Sequence, residues 1–165
     1  MGLVIIPTGC VTGVRGFSAP INNFDTVDAT VTRGAQPNAV GLGELKRLGV
    51  TDVINLRQDV WSEEKSYCEK LGLNYHYCGL DPFSAPTTGQ LAQILRIVKN
   101  AKGKVFLHCQ YGCDRTGTVC AIYRVEVLGE TNQAAFDDAV KHGLSVWETA
   151  MRHLVKHYKK GTIKL

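Results

Sequence analysis

The chain of 165 residues lacks any apolar run long enough to span a bilayer, so no membrane span is expected. It also lacks a strong excess of one charge: 19 Lys and Arg against 15 Asp and Glu leave +4, with a pI near 8.7. So mild and dispersed a balance argues against nucleic-acid binding and leaves room for anionic ligands. The one basic cluster, VKHYKKGTIKL at the end, reads as a solvated terminus. Neither C-x-x-C nor the paired Cys/His spacings of a zinc site occur, so neither a metal nor a cofactor is expected. Internal repeats and low-complexity segments are absent, which excludes solenoids and linkers. Six cysteines are present, at 10, 68, 78, 109, 113 and 120, yet 44% of the residues are hydrophobic. A chain of that composition folds without disulfide staples, so free thiols in a reducing, cytoplasmic compartment are expected. The opening MGLVIIPTGC is too short for a secretory signal and lacks its positive flank. Residues 1–20 therefore read as an arm or leader remnant, with an exported form as the alternative. One domain is expected over residues 21–160, followed by a tail over 161–165.

What is there alternates. TVTRGAQP reads as a strand ending at Pro37, and NAVGLGELKRLG as a helix capped by Asn38 and stopped at Gly49. TDVINL is a buried strand, WSEEKSYCEKLG an amphipathic helix, and NYHYCGL a strand running into the two-proline loop DPFSAP. TTGQLAQILRIVKNAKG is a helix, KVFLH a strand, and TVCAIYRVEVL, TNQAAFDDAVKHG and SVWETAMRHLVKHY three further helices. Strands separated by helices predict an α/β fold, a three-layer sandwich around a mostly parallel sheet. Ligand sites in such sheets form outside the carboxyl ends of the strands. HCQYGCDRTG (108–117) and LDPFSAP both fall at such ends.

HCQYGCDRTG puts a thiol and a guanidinium at the turn from strand to helix. A helix start has free backbone N–H groups and the positive end of the dipole, and a glycine-bearing turn ahead of it makes a pocket for a tetrahedral oxyanion. Gly112 frees that turn and Gly117 lets the helix start pack closely. The nucleotide-binding loop G-x-x-x-x-G-K-[ST] is excluded, because no lysine occupies its place. Instead Arg115 has the planar fork that grips two phosphate oxygens. The same field favours a thiolate at Cys109, whose attack on a bound phosphate gives a phosphocysteine. Thr116 is placed to donate its hydroxyl to the Cys109 sulfur, and His108 to order the loop by hydrogen bonds. A leaving alkoxide or phenoxide also needs an acid, and water later needs a base. Asp81, at the start of the proline-bounded loop, is one candidate and Asp114 the rival; alternatively Asp114 pairs with a loop N–H, orients Arg115 or contacts substrate.

The run H-C-x5-R-[ST]-G is the signature of the protein tyrosine phosphatase superfamily, and residues 108–117 match it in full. The chain resembles the compact dual-specificity branch, and TRGAQP followed by a helix and GVTDVINLR is similar to its small microbial and plant–fungal members. The likeness covers residues 24–145. It implies Cys109 as nucleophile, Arg115 as phosphate clamp, Thr116 as hydroxyl partner and Asp81 as acid, with Gln110, Tyr111, Gly112, Cys113 and Asp114 around the substrate. Two departures stand out: LDPF lacks the Trp-Pro-Asp of receptor-like enzymes, and DRTG is similar to loops of some lipid phosphatases. Members that prefer polyphosphorylated inositols often line this loop with lysines, and QYGCD has none. The expected function is therefore hydrolysis of phosphotyrosine or other phosphoprotein esters by a monomer. Phosphoinositides and inositol phosphates are the alternative substrates. Sulfur transfer, arsenate reduction and a phosphate-binding pseudophosphatase are the competing readings. Cys113 and Cys78 are candidate redox partners of Cys109; Cys68 and Cys120 read as packing residues.

Overall fold

The computed structural model describes residues 21–165; residues 1–20, including the expected arm and Cys10, lie outside the described residues. Five strands form one sheet: β1 (Asp25–Thr26), β2 (Val31–Gly34), β3 (Val50–Asn55), β4 (Asn74–Tyr77) and β5 (Lys104–His108). Their order is β1-β2-β5-β3-β4, parallel throughout except for the antiparallel β1–β2 pair. Helices α1 (Ala39–Arg47), α2 (Glu64–Lys70), α3 (Thr88–Asn100), α4 (Asp114–Tyr123), α5 (Asn132–Lys141) and α6 (Thr149–His157) complete the described elements, with a π-helical turn over Arg124–Leu128.

Both faces of the sheet are covered, which is why the central strand β5 carries the continuous apolar run Val105, Phe106 and Leu107. In β5, Val105 and Leu107 join Val31, Ile54 and the inner sides of α3 to α6, whereas Phe106 points to the other face, with Val53, Leu42, Leu45 and Cys68 of β3, α1 and α2. The three-layer sandwich expected from the alternation is the fold observed. Local chemistry sets several boundaries. Asn38 accepts from Gly41 N at 2.8 Å to start α1, and Thr87 with Gln90 forms a capping box at α3.

Some boundaries differ from the sequence reading. β2 stops at Gly34, because Ala35 and Gln36 leave the ladder to hydrogen-bond Asn22 and Gln110. Helix α4 starts at Asp114 rather than at Thr118. Residues 145–148 form a turn, not the first turn of α6. The closing residues do not hang free: Ile163 is buried in the core and Arg96 donates to the Lys164 carbonyl.

The register decides where chemistry gathers. Gly34 and Asn55 both pair with His108, and Asn55 also pairs with Tyr77. Four parallel strands thus end level, and the segments after them meet: 35–36, 56–59, 78–83 and 109–115.

Candidate active site

Cys109 follows directly on β5 and is almost wholly buried, and Arg115 sits in the first turn of α4 with only 9% of its surface exposed. The first turns of α1, α3 and α5 are capped by Asn38, Thr87 and Thr131, whereas Cys113, the residue before α4, makes no side-chain cap, as is also the case at α2 and α6. The leading N–H groups of α4 therefore remain available to an anion. Gly112 bridges the two with φ +71, and a Cβ there would lie 2.5 Å from the Gly34 carbonyl carbon. Only glycine combines that dihedral with that approach. Gly117 is a different case, since a Cβ at that position would meet Ala139 at an ordinary 3.7 Å. The close packing expected of Gly117 is not required by space.

The supports of the loop are buried and polar. His108 is fully buried, its Nδ1 is 3.3 Å from the Cys109 carbonyl, and its ring stacks on Phe106. Its Nε2 lies 3.0 Å from Glu64 Oε1, a close polar contact rather than an aligned hydrogen bond. Glu64 is itself fully buried and accepts from Gln36 Nε2 and from Asn55 Nδ2, both at 2.7 Å. In the sequence Glu64 is simply an acidic residue of the amphipathic helix WSEEKSYCEKLG. The signal for its burial is long-range: β3, α2 and the TRGAQP segment converge on one carboxylate.

A cavity of about 550 Å³ opens over the loop, lined by Arg57, Gln58, Asp59, Pro82, Gln110, Tyr111 and Arg115. Arg57 is the second cation there, held by Gln36 Oε1 at 2.8 Å and Asp59 Oδ2 at 2.9 Å. That pairing keeps the Asp59 carboxyl below the usual range. Arg57 stood within VINLR but was not singled out, because nothing local marks an arginine after a buried strand as facing a site. Tyr111 and Phe83 stand 71% and 80% exposed, on the phosphate-loop rim and the acid-candidate loop.

The two acid candidates separate. Asp81 is exposed and accepts from Phe83 N at 2.8 Å, an Asx turn that leaves its second oxygen unengaged. Its neighbour Leu80 accepts from Arg115 Nη1 at 3.5 Å, so the Asp81 loop rests against the clamp arginine. Asp114 accepts from Ser145 N at 2.8 Å, tying the start of α4 to the α5–α6 turn. Glu148, on that turn, is half-buried, and its carboxyl is pushed up by burial and by the nearby Asp114 and Asp81, against the pull of Arg115.

The Thr116 hydroxyl is buried and makes no hydrogen bond among the described residues, so the expected bond to the Cys109 sulfur is not formed. The Gln110 side-chain oxygen is likewise buried and unpartnered. Cys113 is half-buried, with Asn23 Nδ2 3.5 Å from its sulfur, and burial raises its thiol. Cys78 lies in the core, where burial raises its thiol to about 11. Burial also raises Cys68 to about 12 and Cys120 to about 11. Among the described residues no cluster of three or more His, Cys, Asp or Glu has metal-holding geometry, and no helix is long and apolar enough to cross a membrane.

A thiol at the end of the central strand, an arginine in the following helix and an uncapped glycine turn between them define the class: the chain is a member of the protein tyrosine phosphatase superfamily. Within it, the profile of the DSP-PTPase phosphatases of polymorphic toxin systems matches residues 27–129, more than half the chain, and the chain belongs to that family. It is similar to the dual specificity protein phosphatase TpbA of Pseudomonas aeruginosa, with 31% identity over 129 residues covering 75% of this chain and 56% of TpbA. It is also similar to human dual specificity protein phosphatase 26, with 28% identity over 109 residues covering 62% of this chain and 51% of that protein. The chain thus spans about half the length of these curated relatives. Among solved structures, P. aeruginosa TpbA in complex with pTyr superposes with a TM-score of 0.73 at 23% identity, covering 85% of each chain. The catalytic core of the PP-IP phosphatase SIW14 from S. cerevisiae gives 0.75 at 19% identity, covering 85% of this chain and 87% of that one. At these identities the superpositions show the shared fold.

Proposed function

We propose that the protein is a metal-independent phosphomonoester hydrolase of the dual-specificity type, working through a phosphocysteine. The observation that carries this is the junction itself, where Cys109, the uncapped start of α4, Arg115 and the Asp81 loop meet beside one cavity. Arg115 and the loop amides bind the phosphoryl oxygens. The Cys109 thiolate attacks phosphorus, the P–O bond to the leaving group breaks, and the Asp81 carboxyl protonates that oxygen. Asp81, now a carboxylate, takes a proton from water as the water oxygen attacks phosphorus, and the P–S bond breaks to restore the thiolate. The Thr116 hydroxyl, with no other partner among the described residues, is free to turn to the sulfur as it leaves. Asp114 is occupied by Ser145 N and serves the scaffold.

Phosphotyrosine in a protein is the substrate this reading favours. The cavity is roomy, its rim carries Tyr111, and Phe83 stands exposed next to Pro82. The relative TpbA has been solved with pTyr. One observation favours a second reading, an inositol phosphate: Arg57 is a further cation in the same cavity, and the similar SIW14 core is named a PP-IP phosphatase. The five free thiols among the described residues support a reducing, cytoplasmic setting in this reading, which also takes the protein as a monomer.

The test is hydrolysis of an aryl phosphate across pH in EDTA by wild type, Cys109→Ser, Asp81→Asn and Asp114→Asn. Turnover is expected to vanish in Cys109→Ser. In Asp81→Asn it should fall by about a hundredfold or more, with loss of the basic limb of the profile. Full turnover in Cys109→Ser would overturn the mechanism. A phosphotyrosyl peptide set against an inositol polyphosphate then ranks the two substrate classes.

A further inference from the structure

Three consecutive carbonyls of the phosphate loop are each held by a donor from residues 23–36. Gln36 N donates to Gln110 O at 3.2 Å. Asn23 Nδ2 donates to His142 O at 2.8 Å and to Gly112 O at 3.1 Å, with Tyr111 O farther off at 3.4 Å, and Arg33 Nη2 also donates to Gly112 O. In a planar trans peptide the C=O and the following N–H point in opposite directions. Pulling the carbonyls of 110, 111 and 112 toward this segment therefore turns the N–H groups of Tyr111, Gly112 and Cys113 the other way. That opposite side is where an oxyanion held by Arg115 would sit.

Arg33 stands out among the three donors. It is fully buried and does not line the cavity. Its Nε and Nη1 make no hydrogen bond among the described residues. The nearest carboxylate, Asp138 Oδ2, is 4.0 Å from Nη1 and is shared with Arg124 Nε at 3.2 Å and His142 Nδ1 at 3.5 Å. A buried guanidinium is costly unless tightly paired, and among the described residues this one has its single hydrogen bond on the Gly112 carbonyl. A cation on a carbonyl polarises the whole peptide and makes its N–H a stronger donor.

We propose that Arg33 is a positioning residue that, with Asn23, holds the phosphate loop in its anion-binding form and polarises its amides. It sets the affinity of the loop for oxyanions and the ease with which Cys109 ionises, without touching substrate. This rests on the reading of residues 109–115 as an oxyanion site.

The test uses the full chain and two readouts that need no turnover: competition by orthovanadate, and the pH midpoint of Cys109 alkylation by iodoacetamide. Thermal unfolding is followed alongside. Arg33→Met, close to arginine in length and apolar, should weaken vanadate by about tenfold to a hundredfold and move the alkylation midpoint to higher pH. Arg33→Lys, which keeps the charge but not the fork, should keep most of the midpoint while losing vanadate affinity. Asn23→Ala, which leaves the buried charge alone, should weaken vanadate more modestly and serves if Arg33→Met does not fold. Folded Arg33→Met with wild-type vanadate affinity and alkylation midpoint would overturn the proposal, as would an unchanged Asn23→Ala where Arg33→Met is lost. Wild type that neither binds vanadate nor turns over aryl phosphate would instead sink the reading of the site itself.

Discussion

At the scale of single residues, Gly112 and Glu64 show how much of the candidate site is decided by backbone conformation and by burial. Gly112 combines positive φ with backbone contact to Gly34. Gly112→Ala is therefore expected to lose more than about 1 kcal/mol of stability and to distort the loop. Urea unfolding together with aryl phosphate turnover checks both, and wild-type values for the pair would refute the packing described. Glu64 accepts from Gln36 and Asn55 and faces His108 with no exposure. Glu64→Gln turns an amide N–H₂ toward existing donors, and a loss of about 1–3 kcal/mol is expected. A shifted urea midpoint with an unchanged slope would report it.

At the scale of elements, the α5–α6 turn is tied to the start of α4 by one bond, from Ser145 N to Asp114 Oδ1. Asp114→Ala should cost about 1 kcal/mol and speed proteolytic nicking near Val146 and Trp147, which are already exposed. The basic limb of the pH–rate profile should survive this change. If that limb disappears, Asp114 rather than Asp81 is the acid. The π-helical turn after α4 ends at Gly129 with φ 75 and leaves Glu126 able to accept from Tyr158 Oη at 2.6 Å and from Gly161 N at 2.9 Å. The last segment of the chain is fastened there. Tyr158→Phe is expected to lower stability by about 1 kcal/mol, measured by chemical denaturation.

At the scale of the whole molecule, charge behind the phosphate loop links β1, β2, α5 and the π turn. His142 lies between Asp138 and Asp25, with Nε2 2.9 Å from Asp25 Oδ2, while Arg33, Arg124 and Glu130 complete the group. The hydrogen bond to Asp138 raises the His142 imidazole above its usual 6.5, against burial and the nearby Arg33. A raised folded-state value means that the imidazolium form favours folding. That contribution is fully present below about pH 6.5 and is lost as pH rises through the higher folded value. Asp138 runs the other way: burial alone would raise its carboxyl, but His142, Arg124 and Arg33 hold it below 3.8. Its contribution is present above that value and fades in acid. Tm should thus fall from pH 6 toward pH 9 in wild type, and this slope should flatten in His142→Gln. An equal slope in both proteins would remove His142 as its source.

The sequence by itself determined the alternation of strands and helices and marked residues 108–117 as the candidate site. Both are local: apolar runs and caps declare elements, and a thiol, two glycines and an arginine at fixed spacing declare an anion loop. Asp81 was legible as the start of a turn, and as a candidate acid beside its rival Asp114. Arg33, Asn23, Glu64 and Arg57 were not legible. Each acts on a residue distant in the chain, and a buried arginine in TRGAQP reads no differently from a surface one until the register of β2 on β5 brings it to Gly112. Only the tertiary structure decided that Asn23, Arg33 and Gln36 donate to carbonyls of residues 110–112, that Asp114 is engaged by Ser145, and that Ile163 closes the core. Burial and long-range pairing are properties of the packed sheet, and no spacing along the chain encodes them singly.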